Sequence, residues 1–473
     1  MTDQQNEFLN QIELLKTGTN EEQQTAMESL IGYDLSDDIL RLVCGFIGNP
    51  DKGVKNAASM LLMTSNNANV PKCIVKYISS DEISTRNLAG EVLIRLGGLS
   101  VEAILAYLNE GRSDDDQKFL IDVLGLIGDP RAGEDILNIL RVSENSNVIL
   151  ACVEALGHLK YNPGMQELVS VYDRDEFYKP TVIEAMGQIG SKDALDFMVL
   201  TYEKEDDLTK FSIIESLGLI GDEGTFFFLI SELNNISGPL MFPVISSIYQ
   251  LKEKFSFDIP FDERMKQAIL KTILEADPEY KKAAVHLITV FDDKETILTC
   301  LKIFGEDSEL DESIKPKFFE NPKMIFPTAS ELINQDPKNL ASLLNLLKEV
   351  FEYAENVQDD VISPLDLRNL TDSFTRCLDS SDEEVRRVAI ELLFQLNQST
   401  ALLFLDTMVE DNDLWNRLKI VEILDGINNP KADRALLKLS NDPEEMFRER
   451  AQFALSQRAN PQLEIQQSQQ KNL

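Results

Sequence analysis

The hexapeptide LGLIGD occurs twice in this sequence, at Leu124–Asp129 and at Leu217–Asp222. Related strings are LGHLK from Leu156, MGQIG from Met186 and LGG after Arg95. Aligning these strings places four glycines in one column, with steps of 32, 30 and 31 residues: Gly125, Gly157, Gly187 and Gly218. A period of this length is typical of stacked pairs of antiparallel helices. The sequence therefore predicts a solenoid.

The residues between the repeated strings have the spacing of two helices. In residues 130–159, one apolar stripe with helical spacing runs from Ile136 to Leu140, and a second runs from Val148 to Leu156 after a polar break. Asn or Asp precedes a proline at many joints, and this combination starts helices. These prolines are Pro50, Pro130, Pro163, Pro278, Pro322, Pro337, Pro430 and Pro443. The predicted fold is all-α, a superhelix of about 12–13 antiparallel helix pairs.

The charge balance of the 473-residue chain restricts its partners. It has 45 Lys and Arg against 81 Asp and Glu, a formal net charge of -36. Nucleic acid and anionic membrane surfaces bind clustered cations, so both are disfavoured. We expect a protein partner with a basic segment or face. The absence of a long apolar run and of signal-peptide features leads us to expect a cytoplasmic protein, and we expect it to be a monomer.

Four stretches resemble the short bacterial HEAT repeat known as the phycobilin-lyase type. They are GDPRAGEDILNIL (Gly128–Leu140), EALGHL (Glu154–Leu159), DEEVRRVAIELL (Asp382–Leu393) and NDPEEMFRERAQFAL (Asn441–Leu455). The resemblance covers about residues 36–235 and about residues 364–458. It implies an α-solenoid. It implies less about function, because such repeats occur in many scaffolds.

The regular pattern fails in the middle of the chain. Twelve of the 24 Phe residues lie between Phe226 and Phe326, and Gly238-Pro239 and Pro243 are expected to disturb a helix there. We expect a repeat array over 1–235, an irregular Phe-rich helical segment over 236–335, a second array over 336–458 and a disordered Gln-rich tail over 459–473. The Phe-rich segment is interpreted either as a larger aromatic core or as an exposed docking surface.

An acidic residue recurs three positions before the first glycine column. The candidate partner-binding acids in this register are Asp122, Glu154, Glu184 and Glu215, joined by Glu91 and, in the C-terminal array, by Glu391 and Glu422. In HEAT proteins the second helices line the concave face, so the resemblance implies an acidic inner ribbon. Two interpretations stay open, namely a groove for a basic ligand and a framework position paired with a neighbouring Arg or Lys.

Three aligned arginines and the single tryptophan lead to two further predictions. Arg86, Arg386 and Arg448 align, which predicts an Asp–Arg ladder between repeats, as is typical of HEAT-like stacks. Trp415 is the single Trp and stands at the start of a second helix. It is a candidate partner anchor, because Trp is enriched at binding hot spots, and the alternative is that it packs between repeats.

The sequence contains little that indicates catalysis. Its two histidines, His158 and His286, fall in different repeats, and GxGxxG, GxSxG and HExxH are absent. The five scattered cysteines indicate reduced core thiols. We therefore expect no catalytic residues, cofactor or metal, and a non-enzymatic scaffold or adaptor that binds proteins along an acidic curved surface. The alternatives are a bilin-lyase-like chromophore attachment factor, suggested by the repeat subtype alone, and a signalling adaptor for bacterial regulatory proteins.

Overall fold

The computed structural model describes residues 3–260, 262–288, 290–357 and 362–459, and it divides the chain into two compact units, Met1–Phe257 and Asp258–Leu473. Across the described residues the elements are helices and turns, with no β-strand. From residue 460 onward, the tail predicted over 459–473 lies outside the described residues. The division after residue 257 falls inside the segment 236–335. The four-part division made from the sequence stays a prediction.

The first unit is a stack of eight helix pairs within its described residues. In chain order its helices are α1 (Asp3–Thr17), α2 (Asn20–Ser29), α3 (Asp37–Gly45), α4 (Lys52–Met63), α5 (Asn69–Ile74), α6 (Ile83–Leu96), α7 (Val101–Leu108), α8 (Asp114–Ile127), α9 (Gly133–Val142), α10 (Ser146–His158), α11 (Met165–Tyr172), α12 (Lys179–Ile189), α13 (Lys192–Thr201), α14 (Asp207–Ile220), α15 (Glu223–Glu232) and α16 (Met241–Phe255). The odd-numbered helices are the first of each pair and the even-numbered helices are the second. Short 3₁₀ turns join several of them.

The second unit contains six helix pairs within its described residues. Its helices are α17 (Glu263–Glu275), α18 (Pro278–Ile288), α19 (Lys294–Ile303), α20 (Ser308–Glu320), α21 (Pro322–Ile333), α22 (Leu340–Val357), α23 (Pro364–Cys377), α24 (Glu383–Leu396), α25 (Gln398–Ala401), α26 (Leu405–Met408), α27 (Leu414–Asp425), α28 (Pro430–Leu439) and α29 (Glu445–Ala459). In the fifth pair, the first helix is split into α25 and α26. The all-α solenoid is confirmed. The described pairs exceed the predicted 12–13 slightly, because first helices as short as α5 carry too few apolar positions for a periodic pattern.

The glycine column marks where second helices of the first unit approach each other most closely. A Cβ placed on Gly157 of α10 would lie 2.8 Å from the Cα of Ala185 on α12. A Cβ on Gly125 of α8 would lie 3.0 Å from the Cα of Ala155 on α10. Larger side chains would force the helix axes apart, so the repeat period reflects a packing requirement. The second helices α8, α10, α12 and α14 consequently form a tightly packed row.

A second column, three positions after the glycine column, ends two second helices of the first unit with a glycine in the left-handed conformation. Gly128 and Gly190 end α8 and α12 with φ of 71° and 70°. Lys160, which replaces Gly in this column, follows α10 and keeps the same conformation with φ of 51°. Side chains cap the starts of second helices, as Ser113 does for α8 and Asp206 for α14. Each cap accepts a backbone N–H bond that the helix itself cannot satisfy.

The Phe-rich segment is helical and its large side chains mostly face inwards. Among its most buried rings are Phe291, Phe318 and Phe326, whereas Phe255 is exposed. Gly238-Pro239 forms a 3₁₀ turn that leads into α16, and Pro243 lies in the first turn of that helix. A proline there removes no intrahelical hydrogen bond, so the predicted disturbance of the helix is wrong. The burial favours the interpretation of this segment as aromatic core.

We predict that Gly157→Ala lowers stability, because the added Cβ meets backbone of α12 that cannot rotate away. Overpacking of this kind costs about 1–3 kcal/mol, which exceeds the gain of about 1 kcal/mol from the higher helix propensity of Ala. Chemical denaturation followed by circular dichroism measures the change. Gly45→Ala is the matched control, because a Cβ at Gly45 near the end of α3 meets no atom within 4 Å. If both variants unfold at the same denaturant concentration, the close approach of α10 and α12 does not exclude a Cβ at position 157.

Candidate functional site

Three of the predicted acids lie on consecutive second helices of the first unit. Glu154 is on α10, Glu184 on α12 and Glu215 on α14, and all three side chains are exposed. We call the exposed side of these three helices the acidic face. The residue after each acid packs inwards, and Ser216 of α14 donates a hydrogen bond to the carbonyl oxygen of Ile183 on α12, at 3.3 Å. These contacts keep the acids at the same level of neighbouring helices.

The carboxylates of the acidic face interact with one another electrostatically. Partial desolvation, followed by the negative charges of Glu215 and Glu154, raises the pKa of Glu184 above its usual range. Within the described residues, Glu154 and Glu184 have no salt bridge or hydrogen bond from a cationic side chain. The protein therefore holds like charges side by side, an arrangement that lowers its own stability.

The remaining predicted acids fall into a different environment. Asp122 on α8 pairs with Lys118 at 2.7 Å, and Glu391 on α24 forms salt bridges with Lys348 and Lys419. Glu422 on α27 also pairs with Lys419, at 3.6 Å. These three acids are paired with lysines, as the framework interpretation expects. Glu91 on α6 is exposed and occupies the same register.

Large apolar side chains are exposed at the starts of some second helices. Within each unit they are separated by the length of one repeat. In the first unit, Phe177 precedes α12 and is 62% exposed, and Leu208 of α14 is 64% exposed. In the second unit, Trp415 of α27 is 63% exposed and Met446 of α29 is 52% exposed. The interpretation that Trp415 packs between repeats is therefore wrong. Of these four, only Trp415 was selected from the sequence, although the spacing of 31 residues within each pair was visible there.

The predicted Asp–Arg ladder is present at Arg86 and Arg386, whereas Arg448 donates to the backbone carbonyl oxygens of Asp442 and Pro443. Arg386 of α24 binds both carboxylate oxygens of Asp411, at 2.8 and 2.9 Å. Arg417 of α27 forms the equivalent bond with Asp442 at 2.9 Å and was missed in the sequence, although it lies midway between Arg386 and Arg448. Arg86 of α6 pairs with Asp116 at 3.2 Å. Because these partners belong to successive repeats, the ladder is structural.

An open cleft lies at the C-terminal ends of α10, α12 and α14, beside the acidic face. Its volume is about 620 Å³, and its polar lining includes His158, Gln188 and Lys254. The Lys254 ammonium donates hydrogen bonds to the carbonyl oxygens of Leu219 and Gly221, at 3.2 and 3.3 Å. Lys254 thus satisfies the carbonyl end of α14, as cations near helix C-termini do. The cleft marks one end of the acidic face.

The part of the chain that the structure describes contains neither a membrane-spanning helix nor a metal-binding cluster. No helix there combines the length and apolar character needed to span a membrane. No group of three or more His, Cys, Asp or Glu side chains there is arranged to hold a metal ion.

We predict that Glu184→Gln preserves or raises the melting temperature at about pH 7. Its folded-state pKa is raised, so the ionised form is the unfavourable one in the fold, and the penalty is relieved as pH falls through that pKa. The advantage of the variant should therefore disappear at about pH 4. Glu391→Gln is the control, because it removes the partner of two lysines and should lower the melting temperature. A loss for Glu184→Gln at neutral pH would indicate a framework role.

Comparison with known proteins bears on the fold. Residues 371–456 match the family model of HEAT repeats, whereas no curated protein sequence matches the chain. A solved structure of importin beta in an ammonium sulfate condition has a TM-score of 0.42 and 14% identity, over 94% of this chain and 72% of that one. Kap121p bound to Ste12p has a TM-score of 0.38 and 13% identity, over 94% of this chain and 58% of Kap121p. The chain thus spans 58% of the length of Kap121p. Residues 371–456 thus match HEAT repeats, and both units consist of stacked helix pairs.

Proposed function

We propose that this chain is a HEAT-repeat scaffold that binds partner proteins, and that the acidic face of its first unit holds a basic segment of the partner. The observation that carries the proposal is the contrast between acids in one register. Glu154 and Glu184 lack a cationic partner within the described residues, whereas Asp122, Glu391 and Glu422 have lysines. A bound Lys or Arg would supply the missing cation and relieve the repulsion between carboxylates.

The surroundings of the acids indicate which kind of basic segment fits. Phe177 and Leu208 each lie seven residues before an acid, Glu184 and Glu215 respectively. On α14, seven residues correspond to nearly two helical turns, or about 10 Å along the axis, so Leu208 and Glu215 point to the same side of the helix. Phe177 lies in the 3₁₀ turn Glu176–Tyr178 just before α12, at the same spacing from Glu184. The matching partner segment therefore carries apolar side chains beside its cations. We infer an amphipathic basic segment.

The charge of the whole chain supports the same partner class. A formal net charge of -36 attracts a basic segment over distances longer than a contact and raises the rate of encounter. Specific binding requires more than this general attraction. The exposed carboxylates lie on the three consecutive second helices α10, α12 and α14. Each helix pair thus offers one carboxylate contact to the same partner segment.

We predict that the triple variant Glu154→Gln, Glu184→Gln, Glu215→Gln binds a synthetic amphipathic peptide of Lys and Leu at least about tenfold more weakly than the parent protein. The loss follows from removing three carboxylates that the peptide cations contact together. Fluorescence anisotropy of a labelled peptide measures the affinity, at about 50 and about 300 mM salt. Binding by the parent should weaken at the higher salt, because exposed charges are screened there.

The control for this experiment removes the same number of charges from acids in the same register. Asp122→Asn, Glu391→Gln and Glu422→Gln together should change the affinity less than about threefold, since lysines already neutralise these acids. Circular dichroism verifies that both triple variants are folded. Equal losses in the two variants would mean that the peptide responds only to net charge, and the acidic face would then have no special role.

We predict that the double variant Phe177→Ala, Leu208→Ala weakens binding of the same peptide by at least about fivefold, with little change in the salt dependence. Removing the rings and methyl groups takes away apolar contact area and leaves the charges in place. The control is Val142→Ala with Leu200→Ala, because these exposed apolar residues lie on the first helices α9 and α13. If the control variant loses as much affinity, the peptide does not lie across the second helices.

A further inference from the structure

Two of the five cysteines lie together on neighbouring first helices. Cys44 is in the last turn of α3 and is 2% exposed, while Cys73 is near the end of α5 and is half-buried. Both are free thiols, and Cys73 lies close enough to Cys44 to raise the pKa of the Cys44 thiol. The sequence showed no such relation, because 28 residues and a whole second helix separate them.

The helices that carry these thiols are fixed to each other at their other ends. The side-chain amides of Asn67 and Asn69 each donate a hydrogen bond of 2.8 Å to the Asp37 carboxylate at the start of α3. Helices α3 and α5 also pack against each other directly. The two thiols are therefore held next to each other by the fold, without a contribution from a bond between them.

The environment of the pair differs from that of the other cysteines. Burial, and then the neighbouring Cys73, raise the pKa of the Cys44 thiol, whereas the Lys76 ammonium acts in the opposite direction. Burial raises the pKa of Cys152 and of Cys300 to about 12, and no second thiol contributes to either shift. The combination of a half-exposed thiol with a buried thiol partner thus belongs to Cys44 and Cys73.

We propose that Cys44 and Cys73 are an oxidation site that forms a reversible disulfide between the second and third helix pairs, with a hydroperoxide as the oxidant. The half-buried Cys73 is accessible to a small peroxide, and its thiolate attacks one peroxide oxygen. The O–O bond breaks, Cys73 becomes a sulfenic acid and, with hydrogen peroxide, the other oxygen leaves as water. Cys44 then attacks the Cys73 sulfur and loses its proton.

The second step forms the disulfide and releases the second water. The S–S bond forms, the S–O bond of the sulfenic acid breaks, and a second water leaves with the proton from Cys44. Two thiols and one hydrogen peroxide thus give one disulfide and two waters, with two electrons passing from sulfur to oxygen. The step requires the two sulfurs to approach to a bond of about 2.05 Å, and rotation of the two side chains contributes to that movement.

The disulfide should stiffen the N-terminal part of the first unit. It would join α3 to α5 and prevent the second and third helix pairs from separating during local opening. Reduction by a dithiol would restore the original mobility. This inference does not depend on the proposed binding of a basic segment, which concerns α10, α12 and α14.

Peptide mapping under non-reducing conditions tests the proposal on the folded 473-residue protein treated with hydrogen peroxide. We expect a linked pair of peptides that contain Cys44 and Cys73, a mass decrease of about 2 Da relative to the two reduced peptides, and reversal by dithiothreitol. Amide hydrogen exchange in α3 and α5 should slow at least about threefold on oxidation. The link should form without denaturant.

Variants separate the paired mechanism from general thiol oxidation. Cys44→Ala should leave Cys73 as a sulfenic acid that a dimedone probe captures, whereas Cys152→Ala should form the linked peptide as the parent does. If Cys44→Ala fails to fold, the peptide map of the parent protein tests the proposal by itself. Unreacted thiols, oxidation of Cys73 without a link, or a link that forms only in denaturant would each overturn the proposal.

Discussion

The close approach of consecutive second helices is the constraint on which the first unit depends. At Gly157 there is no room for a Cβ against the backbone at Ala185, and the column repeats this contact from helix to helix. Where the small residue is Ser, as at Ser247 of α16, its hydroxyl donates to a carbonyl oxygen of the preceding second helix. The row stays dense, and any side chain in a fixed register is then repeated in space at the same level.

Within the described residues, the acid of the repeated register has a lysine partner on some second helices and no cationic partner on others. The residues three or four positions before each acid explain the difference. Glu422 has Lys419 three residues earlier, and Asp122 has Lys118 four residues earlier. The corresponding positions on α10 are Ala151 and Leu150, which are unable to neutralise Glu154. Glu154 therefore lacks a cationic partner because these two positions hold no lysine. An uncompensated local cost of this kind is more common at functional sites than in framework positions.

The repeat period made the fold predictable from the sequence, whereas the contacts of individual side chains were not predictable from it. The glycine column indicated helix pairs directly, because close packing requires a small residue once in each repeat. The sequence did not reveal that Trp415 is exposed or that Glu391 contacts Lys348, since both depend on which side chains adjacent helices contribute. Cys44 and Cys73 show the same limit, because only the stacking of α3 on α5 brings them together.

In a solenoid each helix pair contacts mainly its neighbours, so features several pairs apart act nearly independently. The thiol pair joins the second and third helix pairs, whereas the acidic face is carried by the fifth, sixth and seventh. A bond at Cys44 changes the local opening of its own pairs and leaves the carboxylate row of Glu154 and Glu184 essentially as it was. Oxidation is therefore expected to alter the stability of the N-terminal repeats while the affinity for a basic segment stays the same.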